Sequence, residues 1–197
     1  MSKLQFDGQT FQVEIELNDE IIGKCYCVEV VGYLSTTAGD EVGRCVIQRY
    51  VRRAGVRSMQ GDEIAGELDD HSDQAGMLGA LLIQKFGAER LEGCVNRSGL
   101  LLLDSLEIVP GLRGRTLWVP LFQATLAKVT KQMRQMPDGF FLKAAPLTQR
   151  DMSPDAIRLA ERKLEQLYMR CLKASRISEH DDHGVWMFAP LRQPEDS

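Results

Sequence analysis

Apolar and polar residues change their periodicity along this chain, and the changes predict the order of its elements. Near the N-terminus they alternate, with Phe11, Val13, Ile15 and Leu17 on one side and Gln12, Glu14 and Glu16 on the other. A period of two marks a half-buried strand. Asn18-Asp19-Glu20 reads as a turn, and a second strand over residues 21–34 closes a hairpin on the first. Gly39-Asp40 interrupts again, and residues 42–51 read as a third strand, so the chain opens with an antiparallel meander.

The period then lengthens to that of a helix. Met77, Leu78, Leu81, Leu82 and Phe86 predict a helix from about Ser72 to Phe86, with Ser72 or Asp70 as its cap and Gly87 as its stop. Gly76 and Gly79 inside it each cost about 1 kcal/mol relative to alanine. Residues 88–98 read as a loop with a short helical turn. Four leucines, Leu100 to Leu103, then open an apolar run over 99–109 that fits a strand buried on both faces. Pro110-Gly111 ends it, and Leu117, Leu121, Leu126, Val129 and Met133 recur at roughly helical spacing. A strand at 140–145 follows, then a long helix introduced by Ser153-Pro154, then a strand over Val185–Ala189 and a polar tail.

The strands at 99–109 and 140–145 are joined by a helix, so they should lie parallel with a right-handed crossover. The expected class is α/β (α+β): a mixed, mostly antiparallel twisted sheet flanked by helices, with a parallel pair at its central strands. A chain of 197 residues is expected to form one domain over 1–197, with the meander at 1–58.

Composition narrows the functional classes. With 44% hydrophobic and 26% charged residues the chain is an ordinary soluble globule, and its net charge of −4 argues against general nucleic-acid binding. The local cluster Arg49, Arg52, Arg53 and Arg57 stands against that balance. No apolar run approaches the roughly 20 residues of a membrane span, and the N-terminus lacks a signal-peptide core. Five cysteines without a framework pattern fit reduced thiols, so a cytoplasmic protein is expected. Cys25 and Cys27 share one strand face as core residues; His180 and His183 in a loop are a weak metal signal, so no metal site is expected. Exposed strand edges make a homodimer reasonable.

One stretch carries chemistry. After the leucine strand, Arg113-Gly114-Arg115 leads into a helix. The first N–H groups of a helix lack internal partners and sit at the positive end of its dipole, so two arginines beside them suit a diphosphate. The bland alternative is a surface turn with two solvated arginines. Leu103-Asp-Ser-Leu-Glu-Ile-Val-Pro-Gly-Leu-Arg-Gly-Arg115 resembles the strand and loop entry of GNAT-superfamily N-acetyltransferases. Leu167-Tyr168-Met-Arg resembles a Leu-Tyr-Glu-Lys segment of that family, and Leu68-Asp-Asp-His-Ser72 and Phe141-Leu-Lys-Ala-Ala-Pro-Leu147 resemble bacterial members without an assigned substrate. The likeness covers roughly residues 60–190, with 99–190 as the expected acetyl-CoA-binding core.

The resemblance implies acetyl transfer from acetyl-CoA, as cosubstrate, to the amine of an unknown small molecule or protein. It implies that the backbone of Ile108 and Val109 pairs with pantetheine amides. Arg113, Gly114, Arg115, Thr116, Leu117 and Trp118 would hold the diphosphate, and Tyr168 would protonate the leaving thiolate. Glu107 is the candidate base and Asp104 the lesser one, set against outward carboxylates with no such role. Thr116 and Trp118 stand where the family prefers small residues, and Pro120 removes a helix donor. The alternative function is therefore a catalytically degenerate relative that binds a ligand or another protein.

Overall fold

A computed structural model of the chain describes residues 2–114, 116–131, 133–146, 152–179 and 184–191. Its strands outrun the sequence pattern. β1 (Ser2–Phe6) and β2 (Gln9–Ile22) form a first hairpin around Asp7-Gly8, both at positive φ, 47° and 73°. Asp-Gly is a strong two-residue hairpin signal. β3 (Cys25–Thr36) and β4 (Glu41–Arg52) complete the expected meander.

Asn18-Asp19-Glu20 is not a turn. All three lie within β2, and the chain reverses at Gly23-Lys24 instead. Two cross-strand contacts keep the polar stretch extended: Asn18 Nδ2 donates to Glu29 Oε1 at 3.5 Å, and the Tyr26 hydroxyl donates to Asp19. Gly23, at φ 51°, takes the left-handed turn conformation that residues with a Cβ resist.

Residues 61–71, which carry Asp62, Glu63, Glu67, Asp69 and Asp70, form a helix, α1 (Gly61–His71), that no apolar period announces. Its core contacts rest on Ile64 and Leu68, too few apolar positions to show a period. Glu63 closes a capping box with Gln60 and pairs with Lys24, and the Glu67 carboxylate accepts from the Lys24 backbone N–H at 3.1 Å. α2 (Asp73–Phe86) begins at Ser72, whose Oγ accepts from Ala75 N at 3.2 Å, and stops at Gly87 as expected. Its glycines have a packing reason: a Cβ on Gly76 would stand 2.8 Å from Asp69 Cα, where α1 and α2 approach closely.

Residues 88–98 are helical rather than a loop: α3 (Ala88–Gly93) runs into a π turn over Cys94–Ser98. β5 (Leu100–Ile108), α4 (Trp118–Lys131), β6 (Gly139–Ala144), α5 (Pro154–Leu172) and β8 (Val185–Pro190) follow the predicted order, with a two-residue β7 (Ser175–Arg176) before the last. Ser153 Oγ caps α5 by accepting from Ala156 N at 3.3 Å.

Among the described residues, eight strands form one mixed sheet in the order β1-β2-β3-β4-β5-β6-β8-β7, in which only β5 and β6 are parallel. α4 and α5 cover one face, with Leu101, Leu103, Leu121, Phe122 and Tyr168 in its core. α1, α2 and α3 cover the other, with Tyr50, Ile64, Leu68, Leu78, Leu100 and Leu102. The alternating leucines of β5 thus serve both cores, which explains their unbroken apolar run.

Candidate functional site

β5 and β6 pair only at Leu102↔Phe141 and Leu103↔Leu142. Beyond Leu103, β5 continues to Ile108 paired with β4 alone. The register between β4 and β5 slips at the same point: Ile47 faces Leu103 and Val46 faces Ser105, so Asp104 is an extra residue. Such a bulge bends its strand and increases the local twist. The parting of β5 from β6 therefore begins at the bulge.

The parted stretch presents an open backbone edge inside the sheet. Val109 N–H donates to Val42 O on β4 at 2.9 Å. Alternation along the strand turns the backbone groups of Ile108 and Leu106 the other way, toward the space that β6 leaves. The Ile108 carbonyl accepts from Arg113 Nε at 3.0 Å, so the loop arginine now holds part of this edge.

The loop after β5 begins with a 3₁₀ turn at Pro110–Leu112 and reverses at Gly114, φ 83°. Arg113 and Thr116 are exposed and Leu117 is buried; Arg115 lies outside the described residues. Trp118 opens α4 with its ring turned onto the core, 6.5 Å from Phe122 between centroids. The bulky ring is thus kept away from the helix end. That end is short of donors, because Val119 N–H is bonded to Thr116 O at 3.0 Å and Pro120 has no N–H.

Titratable groups flank the parting on both faces of the sheet. On the α4–α5 face, Tyr168 is 7% exposed, and burial, then the nearby Cys45 thiol, pushes its hydroxyl up to about 12. α5 lies over β6 and β8 while Cys45 belongs to β4. Tyr168 is thus packed in the core between α5 and the sheet. On the opposite face, burial lifts the Asp104 carboxyl above its ordinary value, and Glu29 lifts it further, while His71 and Arg44 oppose the shift. Gln74 Nε2, from the first turn of α2, donates to Asp104 O at 3.4 Å. The α1–α2 junction is thereby held against the bulge.

Beside Asp104 runs a chain of hydrogen bonds. Gln48 Nε2 donates to Glu29 Oε2 at 3.3 Å, the Tyr50 hydroxyl meets Gln48 Oε1 at 2.7 Å, and His71 Nδ1 meets the same hydroxyl at 2.8 Å. Sequence reasoning missed Glu29, Gln48 and Tyr50. A usable signal was present, since Gln48 directly follows the apolar run Cys45-Val46-Ile47 in β4; the structure buries its side chain.

The structure thus brings Ile108, Val109, Arg113 and Gly114 to one end of the open edge, with Tyr168 and Asp104 on opposite faces of the parting. Glu107 does not join them as closely: it is exposed, opposite Arg44 of β4. Three arginines of the cluster are occupied structurally, with Arg49 donating to Ser98 O, Arg52 to Val56 O and Arg53 to Gly23 O. His180 and His183 lie outside the described residues, among which no group of three or more ligating side chains could hold a metal. No described helix is long and apolar enough to cross a membrane. Two cavities lie elsewhere: one of about 170 Å³ at the opposite ends of β5 and β6, beside Arg90, Arg97 and Met136, and one beside Ile21 and Tyr26. Comparison with family models, curated proteins and solved structures returns no match to this chain.

Proposed function

We propose that the chain is an acetyl-CoA-dependent N-acetyltransferase acting on the amine of a small molecule or protein. The observation that carries this reading is the open edge of β5, which begins at the Asp104 bulge and turns the backbone of Leu106 and Ile108 toward a gap in the sheet. An extended ligand bearing amides can add there as a strand would. That fits the pantetheine arm, once Arg113 Nε releases the Ile108 carbonyl. The end of α4 fits a diphosphate less closely, so Arg113 and Arg115 carry more of its charge. When bound, acetyl-CoA supplies an acyl group activated as a thioester.

The remaining work falls to the chain. The hydroxyl of Tyr168 keeps its proton at neutral pH because burial disfavours the phenolate, and from the α4–α5 face it gives that proton to the departing sulfur. Asp104, rather than the exposed Glu107, is the carboxylate that holds a cationic acceptor at the bulge. The donor-poor helix end favours the second reading, a binding module without transferase activity.

Calorimetry separates the two. Acetyl-CoA should bind, and Ile108→Pro should weaken binding at least tenfold. Its missing N–H points to the gap, so pairing with β4 survives. Absence of binding at millimolar acetyl-CoA refutes the transferase reading.

A further inference from the structure

We propose that His71 Nε2 takes the proton of the acceptor amine, and that Tyr50, Gln48 and Glu29 are positioning residues that hold its ring in the Nδ1–H form. The proposal rests on the acetyl-transfer reading and adds to it the base and the side of the sheet from which the amine enters.

The polarity of the chain follows from Glu29. A carboxylate accepts and does not donate, so it must face the NH₂ end of the Gln48 amide, as it does at 3.3 Å. The amide oxygen then faces Tyr50 at 2.7 Å and must receive the single hydroxyl proton. With that proton committed, the Tyr50 oxygen can only accept at 2.8 Å from His71 Nδ1, which must carry a hydrogen. Cys27 and Ser72 also approach the hydroxyl, and the ring of Tyr50 is completely buried, so water does not compete for it. In neutral His71 the lone pair is therefore on Nε2.

That atom faces outward. His71 keeps 16% of its side chain exposed, and its Nε2 lies 3.8 Å from Glu20 Oε2 of β2, itself 71% exposed. Glu20 can stabilise the imidazolium once a proton arrives. The other charged groups around the ring are Asp104 from β5, Glu29 from β3, Arg44 from β4 near Asp104, and the exposed Asp69, Asp70 and Asp73 beside it in sequence. The surroundings are predominantly acidic, which suits an approaching ammonium. They also adjoin the bulge where β5 leaves β6, on the face opposite Tyr168.

The step balances. His71 Nε2 removes one proton from R–NH₃⁺ and becomes imidazolium. The freed nitrogen pair forms the C–N bond, the C–S bond breaks, and the sulfur takes the Tyr168 proton. The nitrogen, now bonded to the acyl carbon, sheds its second proton to solvent, Tyr168 recovers one from solvent, and His71 releases its own. The net products are the amide, the free thiol and one proton.

The test begins without any ligand. Long-range ¹H–¹⁵N correlation of labelled protein, with the His71 signals identified by their loss in His71→Gln, should show Nδ1 protonated in the neutral ring. Tyr50→Phe should move that hydrogen toward Nε2. Nε2–H in the unsubstituted protein overturns the proposal. Acetylation of a panel of primary alkylamines should fall about a hundredfold in His71→Gln, with acetyl-CoA affinity within twofold by calorimetry. A rate within twofold of the unsubstituted protein overturns the proposal, as does an absence of turnover despite intact cofactor binding. Failure of acetyl-CoA to bind the unsubstituted protein refutes the transferase reading itself, a result distinct from the tautomer.

Discussion

Removing the Tyr50 hydroxyl tests whether the buried chain is a cooperative polar unit. Tyr50→Phe keeps the ring and its edge-on contact with His71, 5.3 Å between centroids, so packing changes by one oxygen. Two hydrogen bonds disappear, at 2.7 and 2.8 Å. Their ends are not equivalent. Gln48 is 7% exposed, and its Oε1 is left without its donor, at a desolvation cost of about 1–3 kcal/mol. His71 reaches solvent and can hydrate, so its loss is smaller. The total should be about 2–3 kcal/mol, or roughly 5–10 °C in Tm for a chain of this size. Gln48→Met removes the orphaned oxygen at nearly constant volume, and Glu29 retains Asn18 at 3.5 Å. The double variant should therefore be about 1–2 kcal/mol more stable than the sum of the single losses predicts. Urea unfolding followed by circular dichroism measures all four proteins. A Tyr50→Phe cost below about 0.5 kcal/mol, or losses that add within about 0.3 kcal/mol, would refute the argument.

Two further variants probe the surroundings of the parting. The Asp104 carboxyl is raised above its ordinary 3.8 by burial, so the folded state binds its proton more tightly than the unfolded chain does. Ionising it costs stability above the folded-state value, and the cost fades as pH falls toward 3.8. Asp104→Asn should therefore stabilise the protein at pH 7 and lose that advantage on acidification; a gain in urea midpoint that grew at low pH would contradict the sign. Gly32 on β3 lies beneath α4, where an added Cβ would run into Thr125 Oγ1 and stand 3.1 Å from Leu121 Cδ1. Gly32→Ala should cost about 1–3 kcal/mol by pushing α4 off the sheet, and an unchanged Tm would show that the helix yields freely.

The elements legible in the sequence are those specified within a few residues. Ser72 and Ser153 cap the helices they announce, Gly87 ends α2, and the leucines of β5 declare a strand buried on both sides. The parallel pairing of β5 with β6 followed from the helix between them. The failures had partners far along the chain. Asn18 and Asp19 looked like turn residues until Glu29 and Tyr26 drew them into a strand. α1 is held by two buried apolar side chains and by pairs with Lys24, and neither shows as a period.

The candidate site divides along the same line. Its basic loop and its tyrosine could be read locally, because each sits in a recognisable run of residues. The open edge of β5 exists only because β6 pairs at two positions and a bulge falls at Asp104, which register across three strands decides. The chain from Glu29 through Gln48 and Tyr50 to His71 joins two strands and a helix end. By itself the sequence determined the order and kind of most elements, because periodicity and caps act over one or two turns. Tertiary structure alone decided where the sheet parts and which buried polar groups meet there, because both depend on contacts between residues that are distant in sequence.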